Sequence, residues 1–226
     1  MQQIDVWSLI KQKEFESACM YADLQFEKTG NISLLRNKIL ALLNLNRFEE
    51  CIDLSNKIIS LTKGDADSDF ILQGIAFWSL GYKVNAIQCW ENGESSIYSD
   101  ATGGINIKLI RYFAACKLGD KPMKEKIFKS VKKLLKSKRS TNWPIPVGSF
   151  LMDLIDEQSL LSSISSVGYL RERELCDYYF VLATKKLAMG DFINYHKDLK
   201  KCLELNVVVY LEPTYYLAKS ELQYVE

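Results

Sequence analysis

The feature that most constrains this chain is a recurrence of helical hairpins. Ile32, Leu35, Ile39, Leu42 and Leu43 fall three or four residues apart, so one face of a helix over 32–44 is apolar. After the polar turn Asn44-Leu45-Asn46-Arg47, the same periodicity resumes in Phe48, Cys51, Ile52, Leu54, Ile58, Ile59 and Leu61. Lys63-Gly64-Asp65 breaks it, and further pairs follow over 67–80 with 83–97, 104–118 with 122–137, and 171–189 with 191–204. Their turns are Leu80-Gly81-Tyr82, Leu118-Gly119-Asp120 and Met189-Gly190-Asp191, with glycine placed to end each first helix and Pro122 early in its second helix. Residues 3–28 read as an opening pair, 145–165 as a degenerate pair and 213–224 as a closing helix. The four prolines fall at 122 or later, and the one β-branched run is Val207-Val208-Val209. The expected class is all-α.

The hairpins also resemble one another. Leu40-Ala41-Leu42-Leu43-Asn44-Leu45-Asn46-Arg47-Phe48-Glu49-Glu50-Cys51-Ile52 aligns with Ile75-Ala76-Phe77-Trp78-Ser79-Leu80-Gly81-Tyr82-Lys83-Val84-Asn85-Ala86-Ile87, and Cys51 to Ala86 is 35 residues. Two helices that cross closely need a small residue at the crossing and a bulky one beside it. Gly74 and Ala86 suit the first role; Phe77, Trp78 and Trp90 suit the second.

These residues carry a resemblance. Gly74…Leu80-Gly81-Tyr82…Ala86-Ile87 resembles the core of a tetratricopeptide (TPR) motif, as does Ala183…Leu187-Ala188-Met189-Gly190-Asp191-Phe192, with Tyr195 and Cys202 where smaller residues are usual. TPR motifs repeat every ~34 residues as helix–turn–helix. Over 143–222, Trp143-Pro144-Ile145-Pro146, Leu160-Leu161, Leu175-Cys176-Asp177-Tyr178-Tyr179-Phe180-Val181-Leu182-Ala183 and Gly190-Asp191 resemble the closing half of bacterial TPR proteins of the NlpI type. In that family a Trp-Pro precedes a short helix. The resemblance implies a single TPR-like domain over 1–226, a right-handed array of antiparallel helix pairs forming a superhelix, and an adaptor function. NlpI itself is an envelope lipoprotein, and that location and its partners do not carry over. Here Ser17-Ala18-Cys19 has the ending of a lipoprotein cleavage site, but charged residues of 11–16 stand where an apolar stretch is required.

Other chemistry is weakly encoded. Lys and Arg number 29 against 28 Asp and Glu, so no global charge favours nucleic acid or an anionic membrane. No run approaches the ~20 apolar residues of a membrane span. Six scattered cysteines, none in C-x-x-C, read as reduced core thiols and point to a cytoplasmic setting. His196 is the single histidine, and it lies within an amphipathic helix. There is no G-x-S-x-G, P-loop, G-x-G-x-x-G or zinc spacing, so no catalytic residue, cofactor or metal is expected. Gly103-Gly104 before a helix reads as a turn, the alternative being an anion cradle at the helix start. Asp156-Glu157 reads as a helix start.

One segment is strongly charged. From Lys121 to Arg139 there are nine basic residues and one acid, Glu125, with Met123, Ile127, Val131, Leu134 and Leu135 in a stripe. Either this is a solvated helix face or it is a basic face for an acidic partner, nucleic acid or phosphate, through Lys129, Lys132, Lys133 and Lys136.

The first helix of each pair lines the groove in TPR proteins. By that resemblance the groove residues are Ser33, Arg36, Asn37, Leu40 and Asn44; Ile71, Ile75, Trp78 and Ser79; Asn106, Leu109 and Phe113; and Asp177, Phe180 and Thr184. Aromatic anchors among polar side chains suit a protein ligand. Arg36 and Trp78 are the expected anchors, with core packing the alternative for Trp78. The expected function is a non-catalytic protein–protein interaction module. The alternative is a bacterial immunity protein that neutralises a cognate toxin, using a charged face for fast association.

Overall fold

A computed structural model describes residues 5–100, 102–137, 142–205 and 212–223. Among these residues there are 13 helices and no strand. The chain is all-α, and no described helix is long and apolar enough to cross a membrane. It divides into two compact units, Met1–Ile97 and Tyr98–Glu226. The run Val207-Val208-Val209, the basic residues Lys138 and Arg139, and residue 224 of the closing helix lie outside the described residues.

Unit 1 holds α1 (Val6–Lys11), α2 (Phe15–Thr29), α3 (Ile32–Asn44), α4 (Phe48–Thr62), α5 (Asp67–Ser79) and α6 (Lys83–Gly93). Each helix packs on its neighbour in sequence, and α3 also touches α1 and α5. The centre of the unit is aromatic. Trp78 of α5 and Trp90 of α6 are fully buried, with ring centroids 5.6 Å apart. The Trp90 indole N–H donates to the Ile71 carbonyl at 3.2 Å. A Cβ on Gly74 would stand 2.2 Å from that indole nitrogen, so the missing side chain is what admits the ring.

Unit 2 holds α7 (Ile105–Leu118), α8 (Lys121–Ser137), α9 (Ile145–Leu151), α10 (Glu157–Ser162), α11 (Gly168–Met189), α12 (Phe192–Glu204) and α13 (Pro213–Gln223). The 22-residue α11 packs on α7, α9, α12 and α13. A core of Ile105, Tyr112, Ile127, Val131, Val147, Phe150, Leu160 and Val181 joins α7 through α11. Close approach of α9 to α7 again depends on a glycine, because a Cβ on Gly148 would meet Ile105 Cδ1 at 2.5 Å.

One turn recurs in both units. Lys13, Asn46, Gly81, Gly119 and Gly190 all have positive φ, between +57° and +84°. In each case the next residue donates its amide to a carbonyl five residues back, at 2.9–3.0 Å: Glu14 to Leu9, Arg47 to Leu42, Tyr82 to Phe77, Asp120 to Ala115 and Asp191 to Lys186. This is the left-handed helix ending that satisfies orphan carbonyls and turns the chain back. The intervals are 33 residues from Lys13 to Asn46, 35 to Gly81 and 38 to Gly119. The next interval, to Gly190, contains α9 and α10.

Helix starts follow local chemistry. Asp156 caps α10 by accepting the Ser159 amide at 2.8 Å, which helps hold its carboxyl below the usual range. Asp100 takes the start of α7, accepting the amides of Thr102, Gly104 and Asn106 at 2.9, 3.1 and 2.8 Å. Gly103-Gly104 is therefore a turn in which the Asp100 carboxylate takes the Gly104 amide and the Asp100 carbonyl takes the Gly103 amide.

Candidate partner-binding site

Unit 2 contains a narrow pocket between α7, α9, α11 and the start of α13. It encloses about 480 Å³ including its open mouth, but only about 30 Å³ is wide enough to seat the centre of a water molecule. Helix α7 contributes Asn106, Leu109 and Ile110; α9 and the residue before it contribute Pro144, Val147 and Leu151. Helix α11 contributes Asp177, Phe180, Val181 and Thr184 along one face, and Glu212, Pro213 and Thr214 close the pocket. Five residues expected in a groove, Asn106, Leu109, Asp177, Phe180 and Thr184, thus meet in one cavity. Phe113, the sixth from these helices, is fully buried behind them, its ring 4.9 Å from that of Phe180.

The polar end of the pocket is acidic. Asp177 accepts the Trp143 indole N–H at 2.8 Å and the Thr214 hydroxyl at 2.7 Å. Burial pushes its carboxyl above the ordinary range, against the pull of those two donors. Glu212 pairs with the Arg173 guanidinium. Burial, with Asp177 nearby, raises Glu212 to about 7, while Arg173 pulls the other way.

A raised carboxyl in the folded state has a definite sign for stability. The native protein holds this proton more tightly than the unfolded chain, so the associated stability is present below the ordinary carboxyl range and is lost as pH rises through about 7. Thermal unfolding between pH 5 and pH 8 should therefore fall more steeply in the wild type than in Glu212→Gln. The difference is at most about 3 kcal/mol, and equal slopes would contradict this account. Asp177 retains a slope of the same sign in the variant.

In unit 1 the expected groove residues do different work. Ile75 and Trp78 are fully buried, and Lys83 covers the Trp78 ring with its Nζ 3.9 Å from the centroid. Trp78 is a core residue, the alternative left open by its sequence. Asn37 is half-buried, and the Asn44 amide donates to the Leu40 carbonyl at 2.8 Å. Arg36 is held within the unit: its Nε and Nη2 bond the two oxygens of Asp69 at 2.8 and 2.7 Å, and Nη2 also reaches Asp65 at 3.0 Å. Asp69 is 1% exposed, so Arg36 neutralises a buried carboxylate through a bidentate fork.

Removing one partner of such a pair leaves a desolvated charge. Because Arg36 itself is partly exposed, Arg36→Ala should destabilise unit 1 by about 2 kcal/mol, below the range for fully buried pairs. Adding Asp69→Asn should recover much of that in urea unfolding. Unchanged stability together with weakened partner binding would instead return Arg36 to the role of interface anchor.

Four of the seven lysines of α8 share one face, with the exposed Glu125 at its border. At about 100° per residue, Lys126, Lys129, Lys133 and Lys136 lie within an arc of about 80°, with Lys132 at its edge. All but the half-buried Lys132 are exposed. Ile127 and Val131, on the opposite side, are buried in the unit 2 core. The long axis of the face spans about 15 Å. His196 of α12 packs beside the Tyr195 ring, with centroids 4.9 Å apart. All six cysteines are free and five are buried; burial lifts Cys19 and Cys89 to about 11 and Cys51 to about 12.

Sequence periodicity does not identify Val147, Leu151, Glu212 or Thr214 as pocket residues, nor Arg173 as the partner of Glu212. They come from a short helix, the outer part of α11 and the start of α13, where no hairpin pattern marks an inner face. Trp143-Pro144 was the available signal, as an aromatic and a proline beside a short helix; the peptide bond between them is cis. No protein-family model matches the chain, and no curated protein matches it either.

Proposed function

We propose that this chain is a non-catalytic TPR-like module, akin to NlpI-type repeat proteins in residues 143–222, that binds a partner protein through the unit 2 pocket. The observation that carries the reading is the convergence of residues from the first helices α7 and α11 on one cavity, as the groove of a helix-pair array requires. The recurring turn, at intervals of 33, 35 and 38 residues, supports the repeat reading and its implied superhelix. Six unbridged thiols support a reducing compartment such as the cytoplasm.

The test is affinity capture with the tagged chain from its native cells, comparing wild type with Leu109→Phe. Leu109 is a half-buried wall residue, so a larger ring fills the pocket with little disturbance to the core. A stoichiometric protein captured by the wild type and lost by the variant is the expected result. Equal capture by both sinks the pocket as the contact site, and absence of any protein partner sinks the adaptor reading.

The lysine face of α8 favours a second reading, an immunity protein that docks on an acidic toxin surface. Charges of one sign on an exposed face accelerate association and make it salt-dependent. In that case Lys129→Glu with Lys133→Glu should slow association at least tenfold at low salt, while Leu109→Phe changes nothing.

A further inference from the structure

We propose that the unit 2 pocket seats the side chain of a lysine presented by the partner protein, its methylenes along the apolar walls and its ammonium against Asp177 and Glu212. This rests on reading the pocket as the partner-binding site.

Three features of the cavity select that side chain. The first is charge. Among the described residues, Asp177, Glu212 and the nearby Glu174 supply three carboxyl groups, and Arg173, paired with Glu212, is a cation beside them. Among the same residues, Asp177 accepts hydrogen bonds from the neutral donors Trp143 and Thr214, one on each oxygen, with the Arg173 charge nearby. A carboxylate offers about four lone-pair sites, so both oxygens keep capacity for further donors. Asp177 is also only half-buried by accessible surface and lines the cavity. An incoming ammonium would favour the ionised form of both raised carboxyls and make charge-assisted bonds with them.

The second feature is the apolar wall. Leu109, Ile110, Val147, Leu151 and Val181 give the cavity an aliphatic lining from three helices. A small hydrated cation gains nothing there, whereas a polymethylene stem buries apolar surface along it. The third is size. The cavity proper is only about 30 Å³, so it admits the end of one slender side chain rather than a folded or backbone segment.

The experiment titrates the full chain with Nα-acetyl-lysine N-methylamide, following the four tryptophan indole N–H resonances by NMR. Trp143 reports on the site because its indole hydrogen is bonded to Asp177. The expected result is a saturable shift confined to Trp143, with millimolar affinity. The norleucine analogue, which keeps the chain and lacks the ammonium, should bind at least fivefold more weakly. Asp177→Asn should lose at least fivefold for the lysine probe alone. If that variant perturbs the fold, seen as movement of the other three indole signals, Leu109→Phe provides the independent check and should abolish the Trp143 shift. Equal affinity for both analogues, or an unmoved Trp143 signal at 50 mM probe, overturns the proposal. If Leu109→Phe blocks partner capture while the probe leaves Trp143 unmoved, the partner-binding reading stands and the lysine assignment falls. If the probe binds but Leu109→Phe captures the partner normally, the partner is not the source of the ammonium and the proposal falls with the reading.

Discussion

Replacing Gly74 with valine is expected to destabilise unit 1 by about 3 kcal/mol or more, at the upper end of overpacking effects. Two opposed terms decide the sign. Glycine inside a helix is unfavourable, so a side chain at 74 gains up to about 1 kcal/mol in propensity. Against this, the new Cβ falls 2.2 Å from Trp90 Nε1 and 2.7 Å from two further ring atoms. The indole cannot yield cheaply. It is fully buried, its N–H is bonded to the Ile71 carbonyl, and its ring lies against Trp78. Packing therefore outweighs propensity, and even Gly74→Ala should lose stability. Adding Trp90→Leu should make the alanine variant less damaging than the two single changes combined, a coupling measurable by urea unfolding. A Gly74→Ala protein as stable as the wild type would show that α5 and α6 do not depend on this contact.

Asp177→Ala should be the most damaging change at the pocket, at about 2–3 kcal/mol, because it strands two donors in a sheltered site. The Trp143 indole N–H would lose its acceptor, and the Thr214 hydroxyl would keep only the weak Cys176 sulfur at 3.6 Å. Those bonds tie the segment before α9 and the start of α13 to the middle of α11, so the loss also loosens the walls of the cavity. Part of the effect is offset, since burial already disfavours the ionised carboxyl. Asp177→Asn keeps one oxygen to accept the Trp143 indole N–H, and its NH2 can donate to the Thr214 hydroxyl, which can rotate to accept, so it should be within about 1 kcal/mol of the wild type. That contrast is measured by thermal unfolding. An alanine variant no worse than the asparagine variant would mean that the two donors find water instead, and that Asp177 does not organise the pocket.

The sequence by itself determined the all-α class, because apolar spacing of three and four persists along nearly the whole chain and the one β-branched run, Val207-Val208-Val209, is short. It also determined the hairpin turns, which depend on short-range chemistry: glycine or asparagine after a first helix accepts the left-handed conformation, and Asp156 caps the next helix start. Gly74 and Trp90 were readable as a small–large pair for the same reason, since the repeat marks where two helices cross. What only the tertiary structure decided is which side chains share a space. Periodicity gives the apolar face of a helix but not what covers it. Trp78 and Ile75 therefore read as groove residues in the sequence, whereas both are fully buried, Trp78 against Trp90 of α6; Arg36 reads as a surface anchor, whereas its guanidinium is paired with Asp69, 33 residues away. The pocket is the clearest case: its acidic end joins Trp143, Asp177 and Glu212, which are separated by at least 34 residues and brought together by α11 packing on both α9 and α13.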